Sequence, residues 1–467
     1  MKNDFVRRTA AAAAAMLMAL SIGACGRVEN TETSPAGNTK DPVSDSAADR
    51  PDSTSSAAEN DDGKITQAPV SAEPVSQTEF AKLSDGADSD YINAAADFSA
   101  ELIKNTCADE LREGKNVLVS PLSVLSALGM TANGAVGETS EQMQQVLCGG
   151  ISTEEQNRSL NYILSRAKGS QELTFNAANS VWSRNDGVFE ISQDFADTLR
   201  KYYDAESYQV DFNEDAVNDI NAWVNNNTNG MIPEIINELD PLTVMVLVNA
   251  IAFEAEWAED YTDDHVFENS IFTCQDGTEE DCTLLYSTEE LYFDGNGAEG
   301  FVKFYKGYDY ALMAILPEEG KDLPDFVEGL TGGQLTEYWN SRRSADVYAY
   351  IPEFAYDYSS SLSDPLKAMG MDIPFSAGAA DFSLMGDTYD GEPLYISDVL
   401  HKTHIELDRK GTRAAAATAV IMDKCEAEME EKESHTVRLD RPFVYAIVDT
   451  ETGFPVFLGA VNTVSQN

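Results

Sequence analysis

The sequence predicts a mixed α+β domain with helices early and strands late, on three observations. Between about residue 90 and residue 230, apolar residues recur at helical spacing and are punctuated by capping residues and glycines. The stretch 243–253 reads TVMVLVNAIAF, a nearly continuous apolar run that suits a strand buried on both faces. Beyond it, strand signals with tight turns recur through 301–316, 346–354, 443–449 and 456–461, with no internal repeat. At 467 residues and 43% hydrophobic, the chain can bury one large core.

In chain order, Phe98, Leu102 and Ile103 share one face of a first helix. A second begins at Ser120-Pro121, where serine caps and proline suits the first turn; Leu122, Leu125 and Met130 form its apolar side, and Gly134 and Gly137 end it. Residues 139–147 and 153–167 read as two further helices, and 173–182 as a strand. Phe195, Leu199 and Tyr202 mark another helix, followed by one over 218–228 that stops at Gly230. Leu394, Ile396, Val399 and then HKTHIEL (401–407) alternate as a strand.

Outside this domain the composition changes. Residues 1–24 carry Arg7 and Arg8, then an alanine- and leucine-rich run to Leu20, then Ile22-Gly23-Ala24 before Cys25, the order of a secretory signal peptide. The small residues before Cys25 resemble the lipobox of bacterial lipoproteins. That resemblance implies a lipid-modified Cys25 at the start of the mature chain, on the outer face of a bacterial cell membrane or, without the lipid, a secreted protein. Residues 25–88, rich in Ser, Thr, Asp, Glu, Asn, Pro and Ala, are expected to form a disordered tether, leaving 89–467 as the folded domain.

The net charge of −50 argues against nucleic acid and against docking on anionic lipid, so contact with a membrane is expected only through Cys25. It favours cationic partners. Cys274 and Cys282 flank CQDGTEEDC and admit a hairpin disulfide, although a turn centred on Asp276-Gly277 would not set them opposite each other. Cys107 and Cys148 lie on helical stretches and read as apolar fillers. No spacing fits a zinc site, and neither a metal nor a cofactor is expected.

Enzyme signatures are weak. GNGAEG (295–300) matches the dinucleotide-binding glycine pattern, but strand alternation follows where a helix N-terminus must receive a pyrophosphate, so it reads as a hairpin connection. His401 and His404, three apart on a strand, point to opposite faces. No HExxH, nucleophile elbow or Walker loop is present.

The residue pattern with most to say is GTRAAAATAV (411–420), between that strand and the acidic MDKCEAEMEEKES (422–434). As a helix it would be unremarkable, since alanine is the best helix former. As a strand it would send Thr412, Ala414, Ala416 and Thr418 to one face and Arg413, Ala415 and Ala417 to the other. Side chains this small can slip between strands already packed.

Seven segments in order, NVLVSPLSVLSALGMTANGAVGET (116–139), NAWVNNNTNGMI (221–232), TVMVLVNAIAFEAEW (243–257), ADFSLM (380–385), LYISDVLHKTHIEL (394–407), GTRAAAAT (411–418) and RPFVYAIVDTETGFPVFLGAVN (441–462), together resemble the serpin family. The resemblance implies three β-sheets, eight or nine helices and an exposed reactive loop. It further implies a monomeric suicide-substrate inhibitor: a serine protease cleaves the loop, is held as a covalent acyl-enzyme, and is distorted as the cleaved loop enters the main sheet.

By the same resemblance Ser120, Ser123, Asn249 and His401 match the polar cluster beneath the main sheet, the shutter, and Trp257 matches the breach, where insertion begins. The hinge comprises Arg409, Gly411, Thr412, Ala414, Ala415, Ala416, Ala417 and Thr418. Arg409 stands where the family is usually acidic, and with a chain this acidic it can pair with a carboxylate. Counted along the loop as in typical family members, the resemblance implies a reactive bond near Cys425-Glu426, suiting an elastase-like protease, with Lys424 as the alternative for a trypsin-like one. A non-inhibitory carrier, or an inhibitor of cysteine proteases, is the competing expectation; a hinge with no proline or bulky inward residue favours inhibition.

Overall fold

The computed structural model describes residues 11–22, 80–169, 173–389, 391–411 and 432–465. Nine α-helices occur among them: α1 (Ser89–Arg112), α2 (Pro121–Ala132), α3 (Gly137–Cys148), α4 (Thr153–Gly169), α5 (Gln193–Tyr203), α6 (Glu214–Asn227), α7 (Leu323–Glu328), α8 (Gly332–Asn340) and α9 (Ser363–Ala368).

The strands form three sheets. A six-stranded sheet runs in the order β12 (Phe354–Ser361), β14 (Leu394–Leu407), β1 (Ala11–Ile22), β6 (Thr243–Glu254), β3 (Thr174–Arg184) and β5 (Ala205–Val210). A nine-stranded sheet runs β15 (Ser434–Arg438), β11 (Arg343–Pro352), β8 (Glu279–Gly295), β9 (Ala298–Phe304), β10 (Tyr310–Pro317), β16 (Phe443–Asp449), β17 (Pro455–Val461) and β2 (Val117–Val119), with β7 (Val266–Thr273) paired to β8. A small third sheet pairs β13 (Gly386–Thr388) with β4 (Phe189–Ile191). The expected α+β class, with three sheets and eight or nine helices, is what the chain forms.

Local chemistry sets these elements. Asp88 caps α1 by accepting from the backbone of Asp90 and Tyr91, and Ser120 caps α2 ahead of Pro121 as expected. Every residue of α2 is buried, because it lies between the sheets rather than on the surface. Gly295, Asn296 and Gly297, all at positive φ, turn β8 into β9, so GNGAEG is the hairpin expected. The strand signal over 301–316 resolves into two strands, β9 and β10, joined by a turn in which Gly307 and Tyr308 have positive φ.

The six-stranded sheet is buried on both faces. One face meets the main core; the other carries a smaller core in which Trp182, Val246 and Val248 pack with Ile220, Trp223 and Val224 of α6. This accounts for the unbroken apolar run of β6, which a one-sided strand would not need. In β14 the buried parity changes between Ile396 and Val399 because a bulge at Ser397 breaks the register.

The stretch read as a signal peptide forms β1, in the middle of this sheet. It runs antiparallel to both β6 and β14, its neighbours from end to end. Met16, Met18 and Leu20 enter the main core, and Leu17 and Ala19 enter the α6 side. Nearer the domain, residues 80–88 lie against the body, where the backbone N–H of Leu83 donates to Asn161 Oδ1 at 2.8 Å.

The possible Cys274–Cys282 bond is absent: both are free, and Cys282 sits opposite Ser270 across the β7–β8 hairpin. Burial pushes the thiols of Cys107 up to about 12 and of Cys148 and Cys282 up to about 11, keeping them protonated and unreactive. Among the described residues no group of three or more His, Cys, Asp or Glu is placed to share a metal ion, and no helix is long and apolar enough to cross a membrane.

Candidate functional site

Two clusters lie along β1, one at its midpoint and one at its first residue. At the midpoint, the Ser120 hydroxyl accepts from the N–H of Ser123 (3.2 Å) and donates to the carbonyl of Val456 (2.8 Å). The backbone N–H of Ser120 donates to His401 Nε2 at 3.1 Å, which leaves the proton of a neutral ring on Nδ1. Ser123 Oγ donates to Asn249 Oδ1 at 2.5 Å, Asn249 Nδ2 to Asn179 Oδ1 at 2.9 Å, and Asn179 Nδ2 to the carbonyl of Tyr203 at 2.7 Å.

All of these side chains are buried, so each bond spares a polar group the cost of burial without a partner. The four residues expected here are thus brought together, and the chain of bonds extends to Asn179, which sequence reasoning missed. Asn249 and His401 do not face each other directly, because Met16 of β1 is paired with both, one on each side.

At the other end of β1, Ala11 pairs with Glu254 and Glu406. Just above it, β14 finishes and the chain turns through Asp408, whose side chain accepts from the N–H of Lys410 at 2.8 Å and whose carbonyl accepts from Trp257 Nε1 at 3.0 Å. Gly411 then makes an isolated antiparallel bridge with Glu256. Its φ is +74°, and a Cβ there would lie 2.3 Å from the backbone nitrogen of Trp257 and 2.5 Å from Glu256 Cα. Only glycine fits, for both conformation and space.

Trp257 is fully buried and stacked on Tyr305, ring centres 4.5 Å apart. Beneath it lies Lys303, 2% exposed, its ammonium 5.2 Å from the Trp257 ring centre, 4.6 Å from that of Tyr261 and 2.8 Å from Glu289 Oε1. Burial works against the charge, but Tyr261 and Glu289 outweigh it and hold the Lys303 pKa above its ordinary value. The sequence did carry a signal for this lysine: it shares strand parity with Phe301 and Tyr305, both buried.

Arg409 finds the acidic surroundings expected of it. Its guanidinium is 3.7 Å from Asp263 Oδ1, and its backbone N–H donates to Glu353 Oε1 at 3.2 Å. Burial raises the Glu353 pKa above its ordinary 4.5, with the Arg409 contacts pulling the other way. Thr412, Ala414, Ala415, Ala416, Ala417, Thr418, Lys424, Cys425, Glu426 and Cys25 lie outside the described residues.

Two predictions come from this geometry. Because the folded-state pKa of Glu353 is raised, the chain gives up stability as pH rises through the interval above 4.5, where the half-buried carboxyl ionises. Glu353→Gln should therefore melt with the parent in the acid range and above it near neutrality; a melting difference that does not vary with pH contradicts the assignment. Removing one partner of the buried pair, Glu289→Ala, should cost about 3–5 kcal/mol, whereas replacing both, Lys303→Met with Glu289→Leu, should cost much less. Denaturant unfolding of the two variants checks the order.

The chain matches the family described as Serpin (serine protease inhibitor) over residues 93–464. It is 32% identical over 389 residues to an uncharacterised serpin-like protein of Thermococcus kodakarensis, covering 82% of this chain and 88% of that protein. It is 30% identical to the leukocyte elastase inhibitor of Xenopus tropicalis, covering 79% and 97% of the two chains. Among solved structures it is similar to the thermophilic serpin tengpin in its native state, at 37% identity and a TM-score of 0.72, covering 84% of this chain and 97% of that one. The same protein in its latent state gives a TM-score of 0.68 at 32% identity, with 82% and 100% covered. With a family match over residues 93–464 and a relative 32% identical over 389 residues, the chain belongs to the serpin family.

Proposed function

We propose that the chain is a suicide-substrate inhibitor of serine proteases, acting by cleavage of the 412–431 loop and its insertion between β6 and β14. The observation that carries this reading is the isolated antiparallel Gly411–Glu256 bridge, two residues beyond the end of β6. Continued down β6, that pairing would put Arg413 opposite Glu254, Thr418 opposite Asn249 and Met422 opposite Met245. Thr412, Ala414, Ala416 and Thr418 would then face the main core, as the alternation of the sequence requires, while Arg413 would face away from it.

A dozen new ladder hydrogen bonds at about 1 kcal/mol each, with apolar burial, supply on the order of 10–20 kcal/mol. That is comparable to or larger than a domain stability of about 5–15 kcal/mol, so insertion can disorder an enzyme held as an acyl ester at the far end of the loop. The likeness to a leukocyte elastase inhibitor supports a protease target, and Cys425 before Glu426 favours an elastase-like specificity pocket. Should the bond lie one residue earlier, Lys424 would direct the loop to a trypsin-like enzyme. The acidic run Glu426, Glu428, Glu430 and Glu431 would draw a cationic protease. Arg7, Arg8 and the small residues before Cys25 support export and a lipid anchor at Cys25 on the outer face of a bacterial membrane.

The test is a detergent-stable complex on gels between the exported chain, beginning at Cys25, and members of a serine protease panel. Thr412→Arg would carry a charge into the inserted strand at a cost of several kcal/mol, so this variant should be cleaved as a substrate and consumed in many-fold excess over protease inactivated. Stable complexes formed by the variant with undiminished stoichiometry would contradict insertion, and no complex from the parent with any protease would favour a carrier.

A further inference from the structure

We infer that the gap between β6 and β14 is a peptide-binding site whose occupant in the unprocessed chain is the chain's own N-terminal segment, Ala11–Ile22, bound in the register of the hinge. The inference rests on the insertion mechanism proposed above only for its functional consequence, since occupancy itself is read from β1.

Two independent observations converge. The first is the ladder. β1 pairs along its whole length with β6 and β14, antiparallel to both, and Met16 separates Asn249 from His401. Leu17 and Ala19 fill the α6 side, Met16, Met18 and Leu20 fill the main core, and the Thr131 hydroxyl donates to Met18 Sδ at 2.9 Å while Ser397 Oγ donates to the carbonyl of Ala19 at 3.0 Å.

The second is the sequence. Continued in register, the isolated Gly411–Glu256 bridge would place Arg413 opposite Glu254, where β1 has Ala11. With that register, Ala12 to Ala15 coincide with Ala414 to Ala417, Met16 with Thr418, Met18 with Val420 and Leu20 with Met422. In that register AAAAAMLMAL and RAAAATAVIM share a run of four alanines followed by larger residues. The site thus suits an extended peptide with four small residues followed by larger, mostly apolar ones.

One ladder cannot hold two strands. A chain that keeps residues 1–24 is therefore barred from inserting its loop, and is cut as a substrate. Removal of those residues, which the export reading assigns to processing before Cys25, frees the site. The proposal makes processing and activation a single event.

Met16 and Met18 are natural probes. In the full chain, hydroxyl-radical footprinting should oxidise both at least tenfold more slowly than in the same chain unfolded. The variant Leu17→Asp/Ala19→Asp places two charges on the α6 side, expels β1, and should bring both methionines to the unfolded rate while the far-ultraviolet spectrum is kept. With a protease that the exported chain inhibits, the full chain should give cleaved product, and the variant should recover stable complexes at least tenfold more efficiently than the full chain. Rapid oxidation of Met16 and Met18 in the unaltered full chain would overturn the proposal, as would complexes formed equally well by full and exported chains. Protected methionines together with an exported chain that inhibits nothing would support the occupancy and count instead against the inhibitory function.

Discussion

The fold depends on one row of backbone hydrogen-bonding groups, those that β6 and β14 turn toward each other. Both strands run in the same direction and lie two strand positions apart, so one antiparallel strand between them satisfies both rows at once. Unpaired backbone groups inside a sheet covered on both faces are costly. The sheet must therefore either close or be filled. The buried serine, asparagine and histidine side chains sit under this row because α2 begins there, tying the sheet to the helices beneath it.

The glycine bridge and the aromatic cluster lie beside the first residue of β1. Gly411 can approach Glu256 and Trp257 only because it lacks a Cβ, and Trp257 holds the turn by its bond to Asp408. Lys303 is sandwiched between Trp257 and Tyr261 and paired with Glu289. Arg409 stands between Asp263 and Glu353.

Much of this was legible in the sequence, for identifiable reasons. Ser120-Pro121 announced α2 through its capping chemistry, the unbroken run of β6 announced a strand covered on both faces, and the parity of His401 and His404 was enough to separate a buried side chain from one that binds Asp357 near the surface. Asn179 was missed because nothing in a strand reading TFNAANSVW distinguishes the asparagine that turns inward. The leader-like run of residues 1–24 contains β1, and a short apolar run carries no period to tell a strand from a signal segment; its likeness to residues 413–422 emerges only when the Gly411 bridge suggests a register. Cys274 and Cys282 were separated by a hairpin register that flanking spacing alone does not determine.

The central claim is that residues following Gly411 become a strand between β6 and β14. It is tested most directly by amide hydrogen exchange on the exported chain before and after a protease cuts the loop. The account predicts that amides 413–422 exchange freely in the intact chain and become as slow as those of β6 and β14 once the loop is cut. Amides 413–422 that remain fast after cleavage would contradict it.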